Sequence, residues 1–159
     1  MTTFGKIPTY QGTEKMEFAV SDDRQALTLT FGDFTASVGG AGSKVPIASR
    51  LFNFVVPLEG YDKHVEAQFT VQGAQALEAG SSATLVCSVN GQTVATDFTP
   101  DTDLSIVQTL KFAADGASEC RLSILLLVGR DAKSPAPQGQ MNVSSVDVAI
   151  LPPAGKQAS

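Results

Sequence analysis

The chain has 159 residues and a formal net charge of −5 at pH 7, with 43% hydrophobic and 17% charged residues. This composition is typical of a chain that buries a core, and it excludes a disordered chain. Because an acidic surface repels phosphate groups, we expect neither nucleic acid nor an anionic membrane as a partner. The longest apolar run, residues 124–128, is far shorter than the roughly 20 residues of a membrane-spanning helix.

The two ends of the chain carry little pattern. Residues 1–12 contain neither a basic cluster nor an apolar stretch, so we predict no signal peptide in this chain. The compartment stays open between the cytoplasm and export by a non-classical route. We expect residues 1–151 to form one domain, because this length suits a single core. Residues 152–159 have no apolar pattern, and we predict that they form a flexible tail.

Apolar and polar residues alternate along most of the chain, which is typical of strands with one face in a core. The predicted strands cover residues 16–20, 26–31, 34–38, 51–58, 64–72, 84–89, 92–98, 104–112, 120–128 and 141–151. About nine or ten short strands, separated by turn residues, predict an all-β fold: an antiparallel β-sandwich that is jelly-roll-like. The only helix we predict is a turn or two near residues 74–79.

Two local patterns refine the strand prediction. Asn90-Gly91 stands between two alternating runs and predicts a hairpin with a type I′ turn. In the last strand, the apolar positions change parity between Val143 and Val146. One extra residue at positions 144–145, a β-bulge, would bring both sets onto the same face.

The chain has two cysteines, Cys87 and Cys120. Each shares the parity of its apolar neighbours, so we predict that both point into the core, from strands that could lie in facing sheets. Two interpretations stay open. A disulfide would stabilise the fold by about 3–4 kcal/mol by restricting the unfolded chain. The alternative is a pair of buried, reduced thiols, which we favour because we predict no signal peptide.

The predicted strand at residues 64–72 has a continuous polar face. Its residues are His64, Glu66, Gln68, Thr70 and Gln72. Such side chains donate and accept hydrogen bonds, so this face is a candidate ligand-binding surface, for a sugar among other ligands. The absence of Trp from the chain weakens the carbohydrate interpretation, and a plain solvated sheet face is the alternative.

His64 is also the only histidine, so a catalytic mechanism of the Ser-His or Cys-His type would depend on it. No nucleophile motif lies near it, and no phosphate-loop spacing occurs in the chain. We therefore predict no catalytic residues and favour a non-catalytic protein over an enzyme. A site built from two carboxylates stays open, because such pairs form only in the folded chain.

Three aspartates, Asp97, Asp101 and Asp103, lie at the end of a predicted strand and in the following loop. Calcium is bound by carboxylate and carbonyl oxygens, so these residues form a candidate calcium site. Their spacing is not that of an EF-hand, and Pro100-Asp101 also suits a turn. Calcium is the only cofactor that the sequence suggests.

The predicted strand at residues 120–128 is apolar on both faces in its second half. Leu125 and Leu127 lie on the face that should point away from the core. An apolar outer face needs a cover. We favour a second copy of the chain, which makes Leu125 and Leu127 candidate subunit contacts of a homo-oligomer. The alternative cover is the chain's own N-terminal segment, residues 4–10.

These patterns lead to two functional hypotheses. The first is a non-catalytic recognition or adhesion module that binds a protein or glycan partner. It would bind through its end loops, residues 39–44 and 133–140, or through the 64–72 face. The alternative is a self-assembling structural protein whose subunits meet at Leu125 and Leu127.

Overall fold

The computed structural model describes residues 3–5, 9–11, 16–39, 46–60, 66–101, 105–113, 119–131 and 137–151. Within these residues the chain forms twelve strands and no helix, which confirms the all-β prediction. The strands are β1 (Thr3–Phe4), β2 (Thr9–Gln11), β3 (Met16–Val20), β4 (Ala26–Phe31), β5 (Thr35–Val38), β6 (Ile47–Glu59), β7 (Glu66–Leu77), β8 (Ser81–Val89), β9 (Gln92–Phe98), β10 (Ser105–Ala113), β11 (Glu119–Arg130) and β12 (Gly139–Leu151). No helix long and apolar enough to cross a membrane occurs in the part of the chain described.

The strands form two antiparallel sheets. The first sheet has the order β1-β6-β11-β8-β9, with β2 also paired to β6. The second sheet has the order β10-β7-β12-β4-β3, with β5 also paired to β12. The ten predicted strands correspond to β3 through β12, and β1 and β2 are short additions. The predicted tail, residues 152–159, lies outside the described residues.

The strand order is that of a jelly roll. β4 and β5 pair one after the other along the same side of β12, so together they act as one interrupted strand. With these two counted once, each sheet has four main strands, in the orders β10-β7-β12-β4/β5 and β6-β11-β8-β9. Two four-stranded sheets with this alternation between layers make the jelly-roll sandwich.

The N-terminal segment extends the first sheet sideways. Phe4 of β1 lies opposite Leu58, and Tyr10 of β2 lies opposite Phe54, both along one edge of β6. Phe4 is buried in the core, whereas Tyr10 is 40% exposed. The described part of this segment therefore pairs with an edge and does not lie over the outer face of the sheet.

Phenylalanines fill one part of the core between the sheets. Phe52 of β6 meets Phe31 edge-to-face, with ring centroids 4.8 Å apart at 87°. Phe34 packs against both rings, at centroid distances of 5.9 Å from Phe52 and 5.1 Å from Phe31. Aromatic pairs in such geometries contribute roughly 0.5–1.5 kcal/mol beyond the burial of their area. This contact joins the two sheets, because Phe31 lies in β4 and Phe52 in β6.

The β-bulge predicted in the last strand is confirmed. The register of β12 against β7 shifts between Val143 and Ser145. Val143, before the shift, and Val146, after it, are both buried in the core. A strand without the extra residue would turn one of these two sets of side chains toward solvent.

Side chains satisfy backbone groups around the bulge. The Ser144 hydroxyl donates to the carbonyl oxygen of Gln72 at 3.1 Å. Asn142 Oδ1 accepts the amide N–H of Ala74, also at 3.1 Å. Backbone groups that lose their ladder partners at a bulge need such replacements. The two polar side chains of β12 therefore help to hold the bulge in place.

The helix predicted near residues 74–79 is wrong. β7 continues to Leu77, which lies opposite Gly139 of β12. Alternation also continues here, because Gln75 is buried while Ala74 and Ala76 are exposed. Pairing with a central strand therefore overrides the local helix propensity of these residues.

The predicted hairpin is confirmed. Asn90 and Gly91 both have positive φ, 47° and 85°, as a type I′ turn requires. The Asn90 side chain accepts the amide N–H of Arg121 at 2.7 Å and donates to the carbonyl oxygen of Glu119 at 3.2 Å. These bonds attach the turn to the start of β11.

The bulge requires glycine at position 73, because a Cβ atom added there would overlap the carbonyl oxygen of Asn142. We expect Gly73→Ala to lower the free energy of unfolding by roughly 2–4 kcal/mol, because the backbone must shift. Urea denaturation followed by circular dichroism measures this. Gly129→Ala is the matched control, since its nearest neighbouring atom is 3.8 Å away, and we expect a change within about 0.5 kcal/mol. Equal losses in the two variants would contradict the argument.

Candidate functional site

A pocket of about 480 Å³ opens at one end of the sandwich, and we call it the loop-end pocket. Its lining comes from the ends of β5 and β7 and the start of β12. The lining residues are Ser37, Val38, Gly39, Ala76, Leu77, Glu78, Gln138, Gly139 and Gln140. The structure thus brings together parts of both end loops predicted from the sequence. The rest of those loops, residues 40–44 and 133–136, lies outside the described residues.

Hydrogen bonds hold one wall of the loop-end pocket. The amide N–H of Glu78 donates to the carbonyl oxygen of Gln138 at 2.9 Å. In return, the amide N–H of Gln138 donates to Glu78 Oε1 at 2.6 Å. The buried Ser81 hydroxyl donates to the carbonyl oxygens of Glu78 at 2.7 Å and of Gln138 at 3.2 Å. The turn between β7 and β8 is therefore attached to the segment that enters β12.

The opposite wall of the pocket packs closely against the same segment. Gly39, which follows β5, has a φ of +86°, and an added Cβ would overlap the carbonyl oxygen of Pro137. A side chain at this position would therefore separate the two loops. The close approach explains why glycine stands where the chain leaves β5.

The ligand-binding residues predicted on the 64–72 strand lie along β7. Glu66 and Gln72 are exposed, and Gln68 and Thr70 are half-buried. All four lie on the outer side of the second sheet, because the residues between them are buried. His64 lies outside the described residues.

Neighbouring strands extend this surface with residues that the sequence analysis missed. Thr109 of β10 and Asp147 of β12 flank Thr70, and Thr28 of β4 follows Asp147. The Thr28 hydroxyl donates to Asp147 Oδ1 at 2.8 Å, and the hydroxyl oxygens of Thr70 and Thr109 are 3.5 Å apart. The outer polar face comprises Thr28, Glu66, Gln68, Thr70, Gln72, Thr109 and Asp147. The parity of Asp147 after the bulge was the one sequence signal for this extension.

The three aspartates of the candidate calcium site have different surroundings. Asp97 is exposed on β9, where its Oδ1 accepts the Thr84 hydroxyl at 2.8 Å. Asp101 is exposed in the turn after β9, and Asp103 lies outside the described residues. No group of three metal-ligating side chains occurs among the residues that the structure describes. Since Asp103 is not among them, the calcium site stays a prediction.

Both cysteines are free thiols buried in the core. They lie in adjacent strands of the same sheet, β8 and β11, and not in facing sheets. Cys87 lies opposite Ile124, which is four residues from Cys120, so the two are roughly 13 Å apart along the strands. A disulfide needs Cα atoms within about 7 Å. The register of these strands therefore keeps the two thiols apart.

Leu125 and Leu127 are half-buried on the outer side of the first sheet. Leu51 and Val86 flank Leu125, and Ala95 lies beyond Val86, so an apolar row crosses four strands. Leu51 is 49% exposed, and the neighbouring Ile47 is 64% exposed. We call this surface the apolar outer face. It comprises Ile47, Leu51, Val86, Ala95, Leu125 and Leu127.

Comparisons with known proteins show distant similarity only. No protein-family model and no curated protein matches the chain. Among solved structures, the chain is similar to TmCBM61 in complex with beta-1,4-galactotriose, with 10% identity and a TM-score of 0.35, over 91% of this chain and 87% of that one. It is also similar to the enzymatically active domain of bacteriophage CBA120 tailspike protein 4, with 13% identity and a TM-score of 0.33, over 91% of this chain and 19% of that one. At this level neither the ligand nor the activity carries over to this chain.

The buried thiols have a measurable consequence. Burial raises the pKa of both Cys87 and Cys120 from 9.0 to about 12, because the thiolate loses its hydration in the core. Near neutral pH we expect no reaction of either thiol with a thiol reagent in the folded protein, and reaction of both after denaturation. If a sample denatured in the absence of reductant showed no free thiol, the expectation that both cysteines are reduced would be wrong.

The same shift predicts how stability depends on pH. The thiols of the unfolded chain ionise near pH 9.0, whereas those of the folded chain keep their protons up to about pH 12. The unfolded state therefore binds fewer protons between these values. We expect this contribution to stability to be complete below pH 9 and to decline as the pH rises toward 12. Urea denaturation over this range measures the decline, and Cys87→Ala should make it shallower.

Proposed function

We propose that the chain is a non-catalytic recognition module that binds a neutral glycan in the loop-end pocket. One observation supports the proposal most strongly: parts of both predicted end loops line the same concave site, and hydrogen bonds hold that site together. Ligand sites are usually concave and of about 300–1,000 Å³, and the loop-end pocket falls within this range.

The chemistry of the lining favours an uncharged ligand rich in hydroxyl groups. Gln138, Gln140 and Ser37 carry side chains that both donate and accept hydrogen bonds, as sugar hydroxyls do. Among the described lining residues the one carboxylate, that of Glu78, already accepts the amide N–H of Gln138. It would repel an anionic ligand. The lining residues that the structure describes include no aromatic side chain, so we expect hydrogen bonds to dominate and the affinity to be modest, about millimolar.

The bonds around Glu78 and Gln138 support recognition in a second way. Ordering a loop on binding costs free energy, and a wall that is already ordered avoids this cost. The backbone of residues 138–139 is held from β7, β8 and the Gly39 contact before any ligand arrives. By contrast, on the outer polar face the Thr28 hydroxyl already donates to the Asp147 carboxylate, and the hydroxyl oxygens of Thr70 and Thr109 lie 3.5 Å apart.

The test is binding of neutral trisaccharides, namely beta-1,4-galactotriose, cellotriose and maltotriose, followed by NMR chemical shifts and calorimetry. At least one should shift the resonances of Ser37, Gly39 and residues 138–140. We expect Gln140→Ala to weaken that binding about 3- to 10-fold, the effect of losing one neutral hydrogen bond.

Gln72→Ala is the matched control, because Gln72 is an equally exposed glutamine on the outer polar face of the same sheet. It should leave the affinity unchanged. If Gln72→Ala weakens binding and Gln140→Ala does not, the ligand lies on the sheet face and the pocket proposal is wrong. Absence of any shift at millimolar trisaccharide would also refute it.

Self-assembly is the second candidate function, and the apolar outer face favours it. The exposed Leu51 and Ile47 continue a row with Leu125 on a sheet that the N-terminal segment does not cover within its described residues. Burying such a row against a second copy would gain roughly 25 cal/mol per Å² of apolar surface. This candidate requires association that depends on protein concentration.

We expect Leu51→Lys to abolish concentration-dependent association, because a charge in the row cannot be buried without a partner. Light scattering coupled to size exclusion at several concentrations measures the mass. Val107→Lys is the control, since Val107 is 69% exposed on the outer side of the other sheet. A monomeric mass for the unmodified protein at every concentration would exclude assembly.

A further inference from the structure

Among the described strands, β9 ends the first sheet and β10 ends the second, and both line one pocket. β10 pairs with β7 over nine residues, and β9 pairs with β8 over seven. Of the strands described, none pairs with the other side of β9 or of β10. The backbone N–H and C=O groups along such an edge can accept an additional strand.

Apart from one lysine, β10 lacks the features that usually protect an edge. It is nine residues long, its register has no bulge, and it contains no proline. Lys111 is its only charged residue, and Val107 is 69% exposed. Proteins normally shorten, charge or distort such strands to prevent the pairing of a further strand. The form of β10 therefore suits strand addition.

A second pocket, of about 330 Å³, lies beside this edge, and we call it the edge pocket. It is lined by residues 96–98 of β9 and 105–108 of β10. Phe98, Ile106 and Val107 provide apolar walls. Gln108 Oε1 is buried and has no hydrogen-bond partner among the described residues. A buried acceptor without a donor is unfavourable, so a ligand that supplies the donor gains this missing bond.

The charge of the edge pocket indicates which donor would fit. Asp97 also lines the pocket, on its β9 side, where its Oδ1 accepts the Thr84 hydroxyl, and the chain has a net charge of −5. A lysine or arginine side chain combines a cationic donor with an aliphatic stem. The stem suits the apolar walls, and the cationic group suits Gln108 and Asp97.

We propose that β10 is a docking edge for an extended basic peptide of a partner protein. The peptide adds as a strand to β10 and places one lysine or arginine side chain in the edge pocket, where it donates to Gln108 Oε1. Main-chain hydrogen bonds supply affinity in this mode of recognition, and the side-chain pocket supplies selectivity. The edge pocket shares no lining residue with the loop-end pocket. This inference is therefore independent of glycan binding.

The experiment uses the full chain and a fluorescent peptide of alternating threonine and valine with one central lysine. Three versions are compared by anisotropy: the lysine peptide, the same peptide with glutamate in place of lysine, and the lysine peptide with alternate amide nitrogens methylated. Of the three peptides, we expect only the unmethylated lysine peptide to bind. The glutamate peptide lacks the cationic donor, and the methylated peptide lacks main-chain N–H donors. This comparison needs no protein variant.

Gln108→Leu then tests the pocket. We expect it to weaken binding of the lysine peptide about tenfold or more, the effect of losing a hydrogen bond to a charged group. Without peptide, its Tm should not fall, because the substitution removes an acceptor that has no donor. Gln72→Leu, the same change on the outer polar face, should leave binding unchanged.

Three results would overturn the proposal. They are equal binding of the lysine and glutamate peptides, unchanged binding by Gln108→Leu, and no binding of the lysine peptide to the unmodified protein. Amide protection of β10 that rises with protein concentration in the absence of peptide would also overturn it, because a second copy would then be the occupant of the edge.

Discussion

The β-bulge in β12 is the constraint on which much of this sandwich depends. β12 is a central strand, with β7 on one side and β4 and β5 on the other. Its apolar residues change parity between Val143 and Val146, and only an extra residue allows both to enter the core. Ser144 and Asn142 supply the hydrogen bonds that replace the ladder, and Gly73 leaves the space. A one-residue change of register here would invert one half of the strand that joins both halves of the second sheet.

The bulge also determines where functional groups lie. After it, Asp147 points to the outer polar face beside Thr70 and Thr28, because its neighbours are in the core. Before it, β12 begins at the loop-end pocket, where residues 138–140 meet the ends of β5 and β7. The outer faces of the two sheets differ in chemistry. The second sheet presents hydroxyl, amide and carboxylate groups, whereas the first presents an apolar row through Leu51 and Leu125. The two proposed functions use the loop-end pocket and the apolar outer face, which have no residue in common.

Much of the fold could be predicted from local sequence patterns, and the features that could not be predicted have physical causes. Alternation located ten strands, and turn chemistry predicted the Asn90-Gly91 hairpin, since both signals act over a few residues. The residues near Ala76 have helix propensity, yet they continue β7, because pairing with a distant strand outweighs a preference of a few tenths of a kcal/mol per residue. Parity correctly placed Cys87 and Cys120 in the core, but it did not reveal that their strands are neighbours in one sheet.

The candidate sites also have some features that the sequence predicts and others that depend on the tertiary structure. The sequence by itself determined which strand side chains face inward or outward, because successive residues of a strand point to opposite faces. It also showed directly that the end loops carry polar and glycine residues. Only the tertiary structure decided that the two end loops meet in one pocket, that Thr109 and Asp147 extend the face of β7, and that Gln108 Oε1 lies buried beside the edge of β10. The reason is that each of these features joins residues from strands far apart in the chain. Their pairing is selected by burial across both sheets together, and no local pattern encodes it.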